Sequence, residues 1–209
     1  MTKMIISGEA VDQTVVEFQF ARARAIQAYA SLEQSICDLF CRLLGIQDKL
    51  GAIVFFKITA PRFRNYIIEK LLRETQRNEF LTFWNSFVTK LLGPVDGERN
   101  LVVHWSTSIS IASGDASGIV RDMNLVAPNF WSFDQNNAWD KNDLEDFTNR
   151  AKQAAIIINL FVGHIFYDLH KDLPLREIFL QPLTYPIPSD SPLYLVPKVP
   201  TPQHQSSGE

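Results

Sequence analysis

Arg99, Asn100 and His104 are the residues of this chain whose types and spacing best suit chemistry. A histidine, with an unperturbed pKa of about 6.5, can take a proton from a hydroxyl at neutral pH or return one to it. An arginine fork holds a phosphate and offsets the charge that grows on it in a transition state. The Asn100 amide can orient the imidazole or a phosphate oxygen. Together they suit cleavage of RNA by its own 2′-hydroxyl, with Arg99 on the phosphate and His104 as acid and base. No carboxylate cluster around the trio suggests a two-metal site, so a metal-free mechanism with no cofactor fits better.

On a helix Asn100 and His104 are four apart and share a face, while Arg99 and His104 lie about 140° apart around the axis. Leu101, Val102 and Val103 would anchor the turn into a core, so that the polar residues project from a rigid element. A helix restarting just ahead of the trio would also offer backbone N–H groups to an anion. Arginine and histidine five apart are expected by chance about 0.2 times in such a chain. Asparagine directly after the arginine and three apolar residues before the histidine lower that to roughly 0.001–0.002. The bland reading is a surface ion pair for Arg99 and a satisfied, half-buried His104.

The elements that must position these residues are mostly helical. Apolar residues at the helical period predict a first helix over 12–44, with Val16, Phe20, Ala23, Ile26, Ala30, Leu32, Ile36, Leu39, Leu43 and Leu44 inward and Gly45 as its stop. A second, over 48–58, is nearly all apolar and is expected to be buried on most sides. Pro61 pre-sets a third over 62–75, with Phe63, Tyr66, Ile67, Leu71 and Leu72 inward. A fourth spans about 78–92 and is expected to break or kink at Gly93-Pro94, leaving 95–97 as a linker before helix resumes at Glu98. Alternation over 106–113, turn chemistry over 114–118 and a return over 119–126 predict a β-hairpin inserted at about 106–127. The last long helix starts at Asp140 or Asn142 and runs to about 170.

The six-residue run Arg99-Asn100-Leu101-Val102-Val103-His104 resembles the arginine-to-histidine signature of the HEPN superfamily in its Arg-Asn form. The likeness extends over about 15–170, through the Leu43-Leu44-Gly45 helix end, the Phe55-Phe56-Lys57 helix and the arginine-rich helix from Arg62, and it points to a bacterial branch of HEPN-like proteins. The resemblance implies a mainly α-helical bundle that dimerises with two motifs facing each other. It implies a metal-independent endoribonuclease, in many members a toxin or phage-defence effector, leaving a 2′,3′-cyclic phosphate and a 5′-hydroxyl. Other members are inactive sensors, scaffolds or nucleotide-binding partners, and that is the rival expectation. A cognate antitoxin or other regulatory partner is a further one. Dimerisation also has a basis in the residues: such cleavage is served by one base and one acid, and the motif supplies a single histidine.

The domain expected is thus 12–172, with a short extension over 1–11 and an extended proline-rich arm over 173–209. Eight of the eleven prolines lie from Pro174 onward, and the end of the arm is expected to be disordered. Ile178, Phe179, Leu180, Tyr185, Tyr194 and Leu195 suggest that its first part packs on a surface, of its own domain or of a second subunit. A net charge of −3 excludes a global field that steers polyanions, so RNA must meet local cations: Lys57, Arg62 and Arg64, with Trp105 available to stack a base. A solvated helix face is the commoner meaning of such cations. Cys37 and Cys41, four apart, read as small core residues rather than a disulfide or metal pair. His164 and Asp168 are spaced for a hydrogen bond at a helix end. No apolar stretch is long enough to span a membrane and no secretory signal is evident, which gives a cytoplasmic protein as the expectation.

Overall fold

A computed structural model describes residues 13–111, 120–126, 138–167, 169 and 173–194. In chain order the helices are α1 (Gln13–Leu44), α2 (Asp48–Lys57), α3 (Pro61–Thr75), α4 (Leu81–Phe87) and α5 (Gly93–His104). A π-helical turn, Val88–Leu92, joins α4 to α5. Strands β1 (Ser106–Ile111) and β2 (Val120–Val126) follow, then α6 (Lys141–Tyr167) and α7 (Leu175–Phe179). The protein is therefore mainly helical with a small two-stranded antiparallel sheet, and among the described residues no helix is long and apolar enough to cross a membrane.

The two longest helices, α1 and α6, pack along each other and form the centre of the core. Gly45 ends α1 as expected: its φ of 64° lets its N–H return to the Arg42 carbonyl, and that of Ile46 to Cys41. Asp140 caps α6 reciprocally with Asp143, each backbone N–H donating to the other's carboxylate at 2.9 Å. Phe80, Phe83, Trp84 and Phe87 all turn inward, and Phe83 meets Phe161 and Phe179 at ring separations of 5.3 and 4.8 Å.

Two inward faces differ from those the periodicity suggested. On α1 Leu32, Ile36, Leu39 and Leu43 are buried as expected, but the first half of the helix turns Phe18, Ala21, Ala25, Ala28 and Tyr29 inward, while Phe20 and Ile26 are 61% and 42% exposed. On α3 Arg64, Asn65, Ile68 and Leu72 face inward and Phe63 and Tyr66 face out. Helix α2 buries only Gly51 and Phe55 and leaves Leu50, Ile53, Val54 and Phe56 exposed, because only one of its sides lies against a neighbour. A Cβ on Gly51 would lie 2.2 Å from the Cys41 sulfur, so glycine is what allows α2 to meet α1 this closely.

The hairpin pairs Ser106 with Val126 through Ile109 with Met123, with an irregularity at Ser110 and Ile111. Leu125 extends the pairing to Trp139 through two backbone hydrogen bonds of 2.8 and 2.9 Å. The hairpin's turn and most of the tryptophan-bearing loop lie outside the described residues, as do the N-terminal extension and the chain beyond Tyr194. Up to Tyr194, the proline-rich segment packs on its own domain. It contains α7, buries Leu175, Phe179, Leu183, Ile187 and Leu193, and is tied down by Lys90 Nζ donating to the Leu183 carbonyl at 2.7 Å. Cys37 and Cys41 are buried and unbridged, and burial pushes the Cys37 thiol up to about 12. His164 stands among the rings of Phe80 and Phe179; Asp168 lies outside the described residues.

Candidate functional site

Gly93-Pro94 does not break the helix that leads to Arg99. Proline has no N–H and its ring crowds the carbonyl four residues back, which in a regular α-helix forces a kink. Here the turn ahead of it widens instead: Gly93 N–H donates to Val88 O, five residues back, and the chain continues helical through His104. A Cβ on Gly93 would sit 2.8 Å from that same carbonyl, so a glycine is needed in the wide turn. The extra residue also sets the rotation of α5, since each residue turns the helix by about 100°.

The expected linker, 95–97, is consequently the first turn of α5, and its side chains do structural work. Val95 is buried, and Asp96 is half-buried between α1 and α3. Tyr29 of α1 donates its hydroxyl to one Asp96 carboxylate oxygen at 3.0 Å. Asn65 of α3 donates its amide to the other at 3.1 Å. Burial pushes the Asp96 carboxyl up to about 6, against the pull of those two hydrogen bonds and of the Arg64 charge. Burial and the neighbouring Asp96 likewise raise the Tyr29 phenol. Next in sequence, Glu98 binds Arg150 of α6 through both carboxylate oxygens, at 3.1 and 2.6 Å, and clamps α5 to the core.

Arg99, Asn100 and His104 follow on this fixed helix. Arg99 is half-buried, its guanidinium carbon 5.8 Å from the centre of the Tyr29 ring and its Nη1 donating to Asn100 Oδ1 at 3.1 Å. Asn100 and His104 are exposed, with His104 the last residue of α5. Asp96, Asn100 and His104 are spaced by four, so they form one stripe with Arg99 at its side.

The trio does not sit at a helix N-terminus, because the run from α4 is continuous, and backbone N–H groups are not what an anion would meet beside His104. That end of α5 presents carbonyls, and Arg22 of α1 satisfies them. Its Nε donates to Val102 O at 2.9 Å, and its Nη2 to Val103 O and Trp105 O at 3.2 and 2.8 Å. Its Nη1 reaches Thr107 Oγ1 of β1 at 3.4 Å. A cation at this end also complements the helix dipole.

The expected basic surface is smaller than the sequence suggested. Arg64 is only 9% exposed: it donates to Ile58 O at 2.6 Å, pairs with Glu33 at 2.5 Å and lies 4.7 Å over the Phe55 ring. Its burial and these inward contacts make it a structural cation rather than part of an exposed nucleic-acid surface. Lys57 and Arg62 are exposed, at the end of α2 and the start of α3. Trp105 is half-buried against the core and directly follows His104. Among the described residues no group of three or more His, Cys, Asp or Glu is placed to hold a metal ion.

Arg22, Tyr29, Asn65 and Asp96 were not singled out by the sequence reading. Only Asp96 carries a local signal, its spacing of three and four to Arg99 and Asn100, and the helix-breaking chemistry of Gly93-Pro94 masks it. The other three come from distant segments. No protein-family model, curated protein or solved structure matches the chain.

Proposed function

We propose that this protein is a metal-independent endoribonuclease of HEPN type, acting as a homodimer. One observation carries the reading: Arg99, Asn100 and His104 occur together on a helix held at both ends. Asp96 and Glu98 fix its start, Arg22 fixes its last turn, and Asn100 and His104 remain exposed. Fixed placement is what general acid–base catalysis requires of its groups.

In this mechanism an RNA 2′-oxygen attacks the adjacent phosphorus and the bond from phosphorus to the 5′-oxygen breaks. One imidazole takes the 2′-hydroxyl proton, and a second returns a proton to the departing 5′-oxygen. Arg99 stabilises the charge on the non-bridging oxygens. The products are a 2′,3′-cyclic phosphate and a 5′-hydroxyl. Each chain contributes one His104, so a second chain supplies the second imidazole.

A catalytically silent sensor or scaffold is favoured by a different observation. The Arg99 guanidinium lies over Tyr29 and spends a donor on Asn100, as an arginine kept for stability alone would do. Incubation of mixed RNA with EDTA-treated protein, beside His104→Ala, decides between them. Cleavage by the native chain is expected to fall at least about 100-fold in the variant. Equal cleavage by both proteins, or none by either on diverse RNAs, leaves the silent module as the reading.

A further inference from the structure

A groove of about 590 Å3 runs between α3 and the helical segment from Trp84 to Gly97, a size that accommodates small ligands. Asp96 lines it. A carboxylate has about four acceptor positions. Tyr29 occupies one on one oxygen and Asn65 one on the other, and among the described residues no third donor reaches Asp96. Each oxygen therefore keeps acceptor capacity beyond the one bond it already accepts.

The wall and mouth add two further chemistries. The Tyr66 ring lines the groove and is 53% exposed, with Lys70 Nζ 5.0 Å from its centre. Arg62 also lines it and has no ion-pair partner among the described residues. Glu69 is the other acid in the lining, and its charge is offset by Arg73 at 2.8 Å. The groove thus combines a double acceptor, an aromatic face and cations. A guanidinium ligand would match the acceptors and be repelled by Arg62 and Lys70. Among the common bases only guanine offers two adjacent donors, N1–H and N2–H. Adenine and cytosine pair one donor with an acceptor, and uracil flanks its donor with two carbonyls.

We propose that this groove is a guanine pocket, in which Asp96 accepts from N1–H and N2–H, Tyr66 stacks on the base and Arg62 holds a phosphate. The poorly solvated carboxylate strengthens the pair of charge-assisted hydrogen bonds. A free guanine nucleotide and a guanine in RNA present the same edge. The pocket itself does not depend on the ribonuclease reading; its use as a base subsite beside Arg99 does. That link is short, because Arg99 lies on the Tyr29 ring whose hydroxyl binds Asp96.

Calorimetric titration of the full chain with GMP, IMP and AMP tests the pocket without catalysis. GMP is expected to bind at least about tenfold more tightly than IMP, which lacks the N2 amino group, and than AMP. Asp96→Asn should abolish that preference. Because Asp96 also ties three helices together, Tyr66→Ala serves as the second variant. It should weaken GMP at least about fivefold with an unchanged melting temperature. GMP no tighter than AMP, or tight GMP binding that ignores both substitutions, overturns the proposal. An RNA arm separates the sources. His104-dependent cleavage beside a single guanine, reduced by Tyr66→Ala, identifies RNA as the occupant. Cleavage without base preference, alongside selective GMP binding, identifies the free nucleotide. Selective GMP binding without any cleavage keeps the pocket and removes the ribonuclease reading; cleavage without GMP binding does the reverse.

Discussion

A carboxyl placed between three helices answers to two opposing demands, and Asp96 shows which one wins. Its hydrogen bonds from Tyr29 and Asn65 favour the charged form, yet burial outweighs them and the group titrates near 6 rather than near 3.8. Two charges act on it from the helices packed there: Glu33 on α1 pushes its pKa further up and Arg64 on α3 pulls it down. The sign of the consequence follows from proton counting. Between about pH 4 and 6 the folded chain holds a proton on Asp96 that the unfolded chain has released, so stability from this group falls as pH rises through that window. Above about 6 it is level. Relative to Asp96→Asn, which has no such proton, the native chain should lose on the order of 2 kcal/mol between pH 4 and 6.5. Parallel stability profiles for the two proteins, from urea unfolding at each pH, would show that Asp96 is not held in this environment.

At the scale of elements, the π-helical turn decides where the motif points. An alanine for a glycine inside an ordinary helix gains roughly 0.5–1 kcal/mol. At Gly93 the added methyl would meet Val88 O at 2.8 Å, a backbone atom that cannot step aside without opening the turn. Gly93→Ala is therefore expected to destabilise by about 1–3 kcal/mol, measured by urea denaturation, and a stabilised variant would mean that the turn is not under this constraint. This element also marks the limit of what the sequence discloses. The long helices, the hairpin strands, the Gly45 stop and Asp140 as one of two candidate caps were legible because each rests on local chemistry, whereas α7, inside the segment expected to be extended, was not. The rotation of helices was not. On α1 both Phe20-Ala23-Ile26-Ala30 and Phe18-Ala21-Ala25-Ala28 recur at helical spacing, and only packing against α6 selects the second. Pro94 carries a strong local signal for a break, but a wide turn four residues earlier cancels it. The trio itself was visible as a pattern, whereas its supports, Arg22, Tyr29 and Asn65, lie at least 34 residues away in sequence.

At the scale of the molecule, the ribonuclease reading requires a second chain, and the surface beside the motif indicates where it would dock. Ile26 lies on α1 between Arg22 and Tyr29, the two residues that reach α5, and is 42% exposed. Ala23 and Ala30, three and four residues away, continue that exposed side. Small residues along it permit close approach of a second helix, and the proposed two-chain site requires a two-fold axis that brings two copies of His104 to one phosphate. Ile26→Glu would place carboxylates of both chains near the axis, at a cost of several kcal/mol from like charges without full solvation. Sedimentation equilibrium should show a native dimer and an Ile26→Glu monomer that keeps its helical circular dichroism, with RNA cleavage lost and a melting temperature that no longer depends on protein concentration. Ile53→Glu, on the 59% exposed side chain of α2, is the matched control and should retain both dimer and cleavage. If Ile53→Glu separates the chains instead, the interface lies on α2. If the native chain is monomeric and still cleaves RNA, a single histidine suffices and the two-chain site is wrong.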